Sequence, residues 1–127
     1  MTSRIRISQP ELGDDVERLV LEVLRSGRLA QGPMVARFEA LCAAMAGTRH
    51  AVALSNGTVA LEAALDACGV GPGDEVITSP FTFAATINAV LRSGAVVRFA
   101  DIGDDYTITA ESADLLVTAA TKVVMPV

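Results

Sequence analysis

From Leu12 onward the apolar residues Val16, Leu19, Val20, Val23 and Leu24 recur at the spacing of one helical face, with acidic residues in the first turn, where the helix dipole favours them. Gly27 ends this helix. Residues 28–33 read as a turn-rich loop, and Pro33 is placed to open a second helix reaching about Ala46, with Val35, Phe38, Leu41, Cys42 and Met45 on one face and Gly47 as its stop. Beyond it the texture changes to short β-type runs alternating with helical ones. Strands are predicted over 51–54, 75–78, 95–100 and 122–127, and helices over 58–68, 83–92 and 110–119. Such alternation predicts a mostly parallel sheet flanked by helices, preceded by a helical segment over residues 1–48. The 58–68 helix is apolar on nearly every side except Glu62 and Asp66, so it is expected to pack against the sheet and a second surface together.

The chain stops at Val127 inside a strand-like run, with no turn or closing helix after it, although parallel strands need cover on both faces. The expectation is an α/β unit that is the first part of a larger domain.

Composition narrows the chemistry. The 127 residues are 51% hydrophobic and 20% charged, which suits one globular unit and excludes disorder. Ten basic residues are scattered among 15 acidic ones, for a net charge of −5, so nucleic-acid binding is not expected. No run approaches 18 apolar residues, and the polar start from Met1 to Gln9 lacks a signal region, so the expected setting is the cytoplasm, away from a membrane. Cys42 and Cys68 sit in helical, apolar company and read as buried free thiols; no metal site is expected.

The most informative stretch is Leu54-Ser55-Asn56-Gly57-Thr58, where a strand-like run turns through small polar residues into a helix. Such a junction leaves backbone N–H groups unpaired at the positive end of the helix dipole, so a phosphate can dock there with the Thr58 hydroxyl beside it. Taken alone, the same residues read more readily as a plain helix cap. Neither G-x-G-x-x-G nor a P-loop is present; Gly69-Val70-Gly71-Pro72-Gly73 follows a helix and serves as a turn. Thr78-Ser79-Pro80-Phe81-Thr82-Phe83 lies at the carboxyl end of a strand, where open α/β sheets bind ligands and an aromatic can lie on a planar ring. At least one of Phe81 and Phe83 is expected in the core. Asp101 is expected to cap the turn Gly103-Asp104-Asp105. His50 and Lys122, the sole histidine and lysine, fall at the opposite rim, Lys122 as a solvated flanking charge.

Read in order, Gln9-Pro10-Glu11-Leu12-Gly13, Ser26-Gly27-Arg28-Leu29-Ala30-Gln31-Gly32-Pro33, Ser55-Asn56-Gly57-Thr58-Val59-Ala60-Leu61, Gly71-Pro72-Gly73-Asp74-Glu75-Val76-Ile77 and Phe81-Thr82-Phe83-Ala84-Ala85-Thr86 resemble the N-terminal third of the DegT/DnrJ/StrS family of sugar aminotransferases, from about residue 6 onward. The resemblance implies the aspartate-aminotransferase-like large domain of pyridoxal-phosphate enzymes (fold type I), incomplete in this chain. It implies pyridoxal 5'-phosphate as cofactor, with Asn56, Gly57 and Thr58 as its phosphate cradle and Phe83 stacked on its ring. It further implies that Gly27, Arg28 and Gln31 lie on the loop by which substrates enter, near a homodimer interface. Substrates would be an amino-acid donor, glutamate, and a keto sugar on a nucleotide carrier. The family's Schiff-base lysine and its pyridine-pairing aspartate match no residue here, Lys122 and Asp101 included, so the chain alone is expected to be inactive. A non-catalytic regulatory module and a sugar dehydratase of the same family are the competing readings.

Overall fold

The computed structural model describes residues 8–127, and a boundary between two compact units falls between Ala53 and Leu54. Residues 1–7, most of the polar start, lie outside the described residues.

In the first unit, α1 (Asp14–Ser26) and α2 (Pro33–Ala46) begin and end where the punctuation predicts. Asp14, Asp15 and Glu17 occupy the first turn of α1 and Arg25 its last, matching the dipole at both ends. Gly27 and Gly47 close the helices with φ of 69° and 65°, a left-handed turn that glycine adopts without a Cβ clash. The apolar faces are less covered than expected. No residue of α1 is buried, and α2 buries only Ala43, while Phe38, Leu41 and Met45 are exposed and Cys42 is half-buried. Among the described residues, the stripe of α1 meets only Met34 of α2 across a shallow apolar hollow with Val16, Leu19 and Val23.

The predicted strand over 51–54 is absent. Its residues find no ladder partner among the described residues, and the Ala53 N–H donates instead to Glu39 Oε1 at 2.9 Å. A strand exists only through its neighbours, so the β-type composition alone forms nothing here.

The second unit comprises α3 (Gly57–Ala67), β1 (Glu75–Thr78), α4 (Ala84–Ser93), β2 (Val96–Phe99), α5 (Ala110–Asp114) and β3 (Thr121–Met125). The strands form a parallel sheet in the order β2-β1-β3, as the alternation predicts. Central β1 carries the burial: Val76, Ile77 and Thr78 are inaccessible, and Thr78 Oγ1 donates to Met125 O at 2.7 Å. Val76 packs with Leu65, Val70, Ala89, Val90 and Ala95 in one cluster under α3 and α4, and Ile77 packs with Ala100 and Ala113 in another.

Three expectations are corrected. Helix α3 buries only Leu65 and packs against α4, leaving Ala60, Ala63, Ala64 and Ala67 exposed rather than covered by a second surface. Cys68, at its C-cap, is an exposed thiol. The last helix ends at Asp114, short of residue 119, because Thr118 is drawn out of helical pairing. Its N–H donates to Thr121 Oγ1 and its hydroxyl to Glu75 Oε2, both at 2.8 Å.

The connections orient both helices. Pro72 lies 3.0 Å from where a Cβ on Gly94 would stand, and Gly69 O accepts from Lys122 Nζ, so the C-terminal ends of α4 and α3 gather at the amino edge of the sheet. Their N-termini therefore point to the carboxyl edge.

Candidate functional site at the carboxyl edge of the sheet

At the start of α3, Asn56 is the N-cap in extended conformation, and its Oδ1 accepts from the Val59 N–H at 3.0 Å. Its amide Nδ2 donates to Ser55 Oγ at 3.3 Å, and its backbone carbonyl accepts from Ala60 N. The cap reading is thus true of the Asn56 side chain. It leaves the N–H groups of Gly57 and Thr58, the first two of the helix, without an acceptor among the described residues. A Cβ built on Gly57 would meet nothing within 4 Å, so the space over these donors is open. Thr58 brings its hydroxyl to the same corner, half-buried. Two free donors, a hydroxyl and a helix dipole equivalent to about half a positive charge are groups that could hold a phosphate monoester.

At the start of α4, Phe83 is the N-cap residue, with no side-chain cap bond, and is 81% exposed. Phe81 is 60% exposed. Neither is in the core, contrary to expectation, because the loop between β1 and α4 lifts both rings off the sheet. Ser79 at the strand end is fully buried; its Oγ accepts from Phe81 N at 3.0 Å and donates to Phe81 O at 3.2 Å, fixing that loop. Thr82 and Thr86 join hydroxyls at 2.8 Å across the helix start. Sequence reading missed these hydroxyls; the i, i+4 threonines flanking a helix start are the signal that was available.

The remaining candidates separate cleanly. Asp101 does not cap the turn after it: its Oδ1 accepts from its neighbour Ile102 N, and Asp105 caps instead, through Thr107 N and Thr107 Oγ1. Those bonds, the backbone one first, hold the Asp105 carboxyl below its ordinary range. Lys122 is not a free solvated charge. The ladder shifts between Glu75 and Val76, pairing them with Thr121 and Val123, and the residue skipped over is Lys122. Its ammonium reaches Gly69 O at 2.8 Å and Asp74 Oδ2 at 3.3 Å, at the amino edge. Asp74 is held below the ordinary aspartate range chiefly by the Gly71 N–H and further by Lys122. His50 is exposed in the first unit.

The loop over 27–32 belongs to that first unit. Gly27, Arg28 and Gln31 are exposed; the Arg28 N–H donates to Ser26 Oγ, and Arg28 helps to line a hollow of about 450 Å³ with Glu22, Ser26 and Met34. Gln31 does not line it.

The match to known proteins covers nearly the whole chain: residues 10–127 fit the model of the DegT/DnrJ/EryC1/StrS aminotransferase family. The chain belongs to that family. It is 48% identical over 122 residues to the spore coat polysaccharide biosynthesis protein SpsC of Bacillus subtilis (strain 168), covering 94% of this chain and 31% of SpsC. Among solved structures it is similar to 3-amino-5-hydroxybenzoic acid (AHBA) synthase, with TM-score 0.86 and 39% identity, over 94% of this chain and 32% of that one. The PMP-form of Spr1654 from Streptococcus pneumoniae superposes with TM-score 0.90 at 31% identity, over 98% of this chain and 32% of that one. The chain thus spans about a third of the length of these DegT/DnrJ/EryC1/StrS relatives, and its fold is the corresponding part of the aspartate-aminotransferase-like α/β domain.

Proposed function

We propose that this chain supplies the phosphate-binding and ring-stacking half of a pyridoxal 5'-phosphate pocket in an enzyme that moves an amino group from an amino acid, glutamate, to a keto sugar on a nucleotide carrier. The observation that carries this is the open corner at Gly57 and Thr58, with two N–H donors unpartnered at a helix start on the carboxyl edge of a parallel sheet. Membership of an aminotransferase family supports it, as does a relative solved in its PMP-form.

In this reading Gly57 and Thr58 bind the phosphate through their main-chain donors and the Thr58 hydroxyl. Asn56 acts one step back, because its bond to Val59 N fixes the helix start that aims those donors. Phe83, exposed at the opening of α4, lies against one face of the pyridine ring and restricts its rotation. When bound, the cofactor supplies an electron sink for cleaving bonds at the amino-acid α-carbon. Gly27, Arg28 and Gln31 are assigned to the substrate side of a cytoplasmic homodimer.

The proton-moving lysine is not Lys122, whose ammonium is held by Gly69 O and Asp74 at the far edge of the sheet. This supports the view that the chain by itself binds cofactor without transaminating. The test uses pyridoxine 5'-phosphate, which lacks the aldehyde and so cannot attach to Lys122. Added to the chain, it should shift the amide resonances of Gly57 and Thr58, and should bind more tightly than inorganic phosphate because Phe83 adds a ring contact. Shifts confined to other residues, or equal binding of the two probes, would overturn the assignment.

A further inference from the structure

Two exposed aromatic rings meet at the same edge of the sheet and have no part in the cofactor pocket described above. Phe81 comes from the loop after β1 and Tyr106 from the loop after β2, and their centroids are 5.5 Å apart with the planes tilted by 35°. Strands β1 and β2 are hydrogen-bonded neighbours, so the pair bridges adjacent strand ends. Both rings are wet: Phe81 is 60% and Tyr106 64% exposed.

Each ring is held in place by its own loop. Phe81 is fixed through its N–H and C=O to the buried Ser79 hydroxyl. Tyr106 sits in the left-handed region at φ 65°, the one non-glycine residue with positive φ among those described. That conformation is unfavourable for a side chain as bulky as tyrosine and persists only where the surroundings impose it. Here Tyr106 N donates to Gly103 O, Gly103 N donates to Thr107 O, and the Asp105 carboxylate holds Thr107. The phenol hydroxyl has no partner among the described residues. A strained backbone that holds an aromatic out in water, with a spare hydroxyl, is poor for stability and well suited to a ligand.

We infer that Phe81 and Tyr106 form a platform for the sugar ring of the substrate, taking its C–H face on the aromatic surface and one hydroxyl on the Tyr106 phenol. Pyranose rings offer that combination of a flat C–H face and peripheral hydroxyls; a nucleobase could also stack on these rings, and UDP without the hexose separates the two. The inference rests on the sugar-handling reading of the site and names a specificity-determining pair within it.

Tyr106 is the only tyrosine, and the chain has no tryptophan, so its emission reports on this one position. UDP-glucose should quench that emission saturably while UDP alone does not, and saturation-transfer NMR should light up the hexose C–H protons. Phe81→Ala should weaken binding of UDP-glucose roughly twofold to tenfold, the range of one aromatic contact. Tyr106→Gly should abolish transfer to the hexose without lowering Tm, since glycine accepts the left-handed backbone; a merely structural tyrosine would give a lower Tm. Tyr106→Phe should keep the transfer and lose affinity by a similar factor. Saturation confined to uracil and ribose protons, or emission indifferent to UDP-glucose, would overturn the platform. The pyridoxine 5'-phosphate shifts at Gly57 and Thr58 are read separately, so failure of the cofactor pocket and failure of the sugar platform are distinguishable.

Discussion

Gly57 is where binding and stability can be pulled apart. Its φ is not in the left-handed region and a Cβ there meets open space, so alanine fits the folded chain and is the better helix former. The same Cβ would stand in the path of a phosphate approaching the Gly57 and Thr58 donors. Gly57→Ala should therefore leave Tm unchanged or raised while weakening pyridoxine 5'-phosphate at least tenfold by titration. Asn56→Ala removes the cap on Val59 N and should cost about 1 kcal/mol in denaturant unfolding, with a smaller loss of binding. If both variants lost stability and binding in proportion, the corner would be structural only. The residue types at this corner were legible as a strand-to-helix junction. Which atoms stay free was not, because that depends on whether Asn56 spends its oxygen on Val59 or turns it outward.

At the scale of elements, the boundaries set by local chemistry were legible and those set by distant partners were not. Gly27, Pro33 and Gly47 punctuate α1 and α2, and the bounds of both helices follow from them. The 51–54 run has a strand's composition but no ladder partner among the described residues. In α5 the tertiary bond from Thr118 to Glu75, 43 residues away, ended a helix that local propensity would have continued. The exposure of Phe81 and Phe83 was illegible for a related reason: an apolar residue in a strand-end loop looks the same in sequence whether it faces the core or a ligand. The energetic weight lies where α3 and α4 clamp β1. Leu65→Ala, which empties the 2%-exposed site that α3 fills against Val76, Ala89 and Val90, should cost about 2–5 kcal/mol by urea unfolding. A cost below 1 kcal/mol would mean that α3 docks more loosely than its packing shows.

For the molecule as a whole, two turns that hold carboxylates by N–H donors contribute to the response to acid. Asp74 accepts from Gly71 N and Lys122 at the entrance to β1, and Asp105 accepts from Thr107 under the loop that carries Tyr106. Both folded values lie below the ordinary aspartate value of 3.8. Above about pH 5 each group is ionised whether the chain is folded or not, so neither adds any pH dependence. As pH falls through 3.8 the unfolded chain takes up these protons first, which favours unfolding, and the loss is complete once pH passes below the folded values. The share of the urea midpoint that these two groups contribute should therefore be level from pH 7 to 5 and decline below 4. Asp74→Asn with Asp105→Asn should lower the midpoint at pH 7 and flatten the acid limb, so that parent and variant converge once pH is below the folded values of both groups. Asp105→Asn alone should also loosen the Tyr106 loop, making its tyrosine emission pH-independent where the parent's changes with Asp105 protonation. An acid limb of unchanged slope in the double variant would show that other carboxylates govern the transition, and that these two turns stabilise the fold equally in either protonation state.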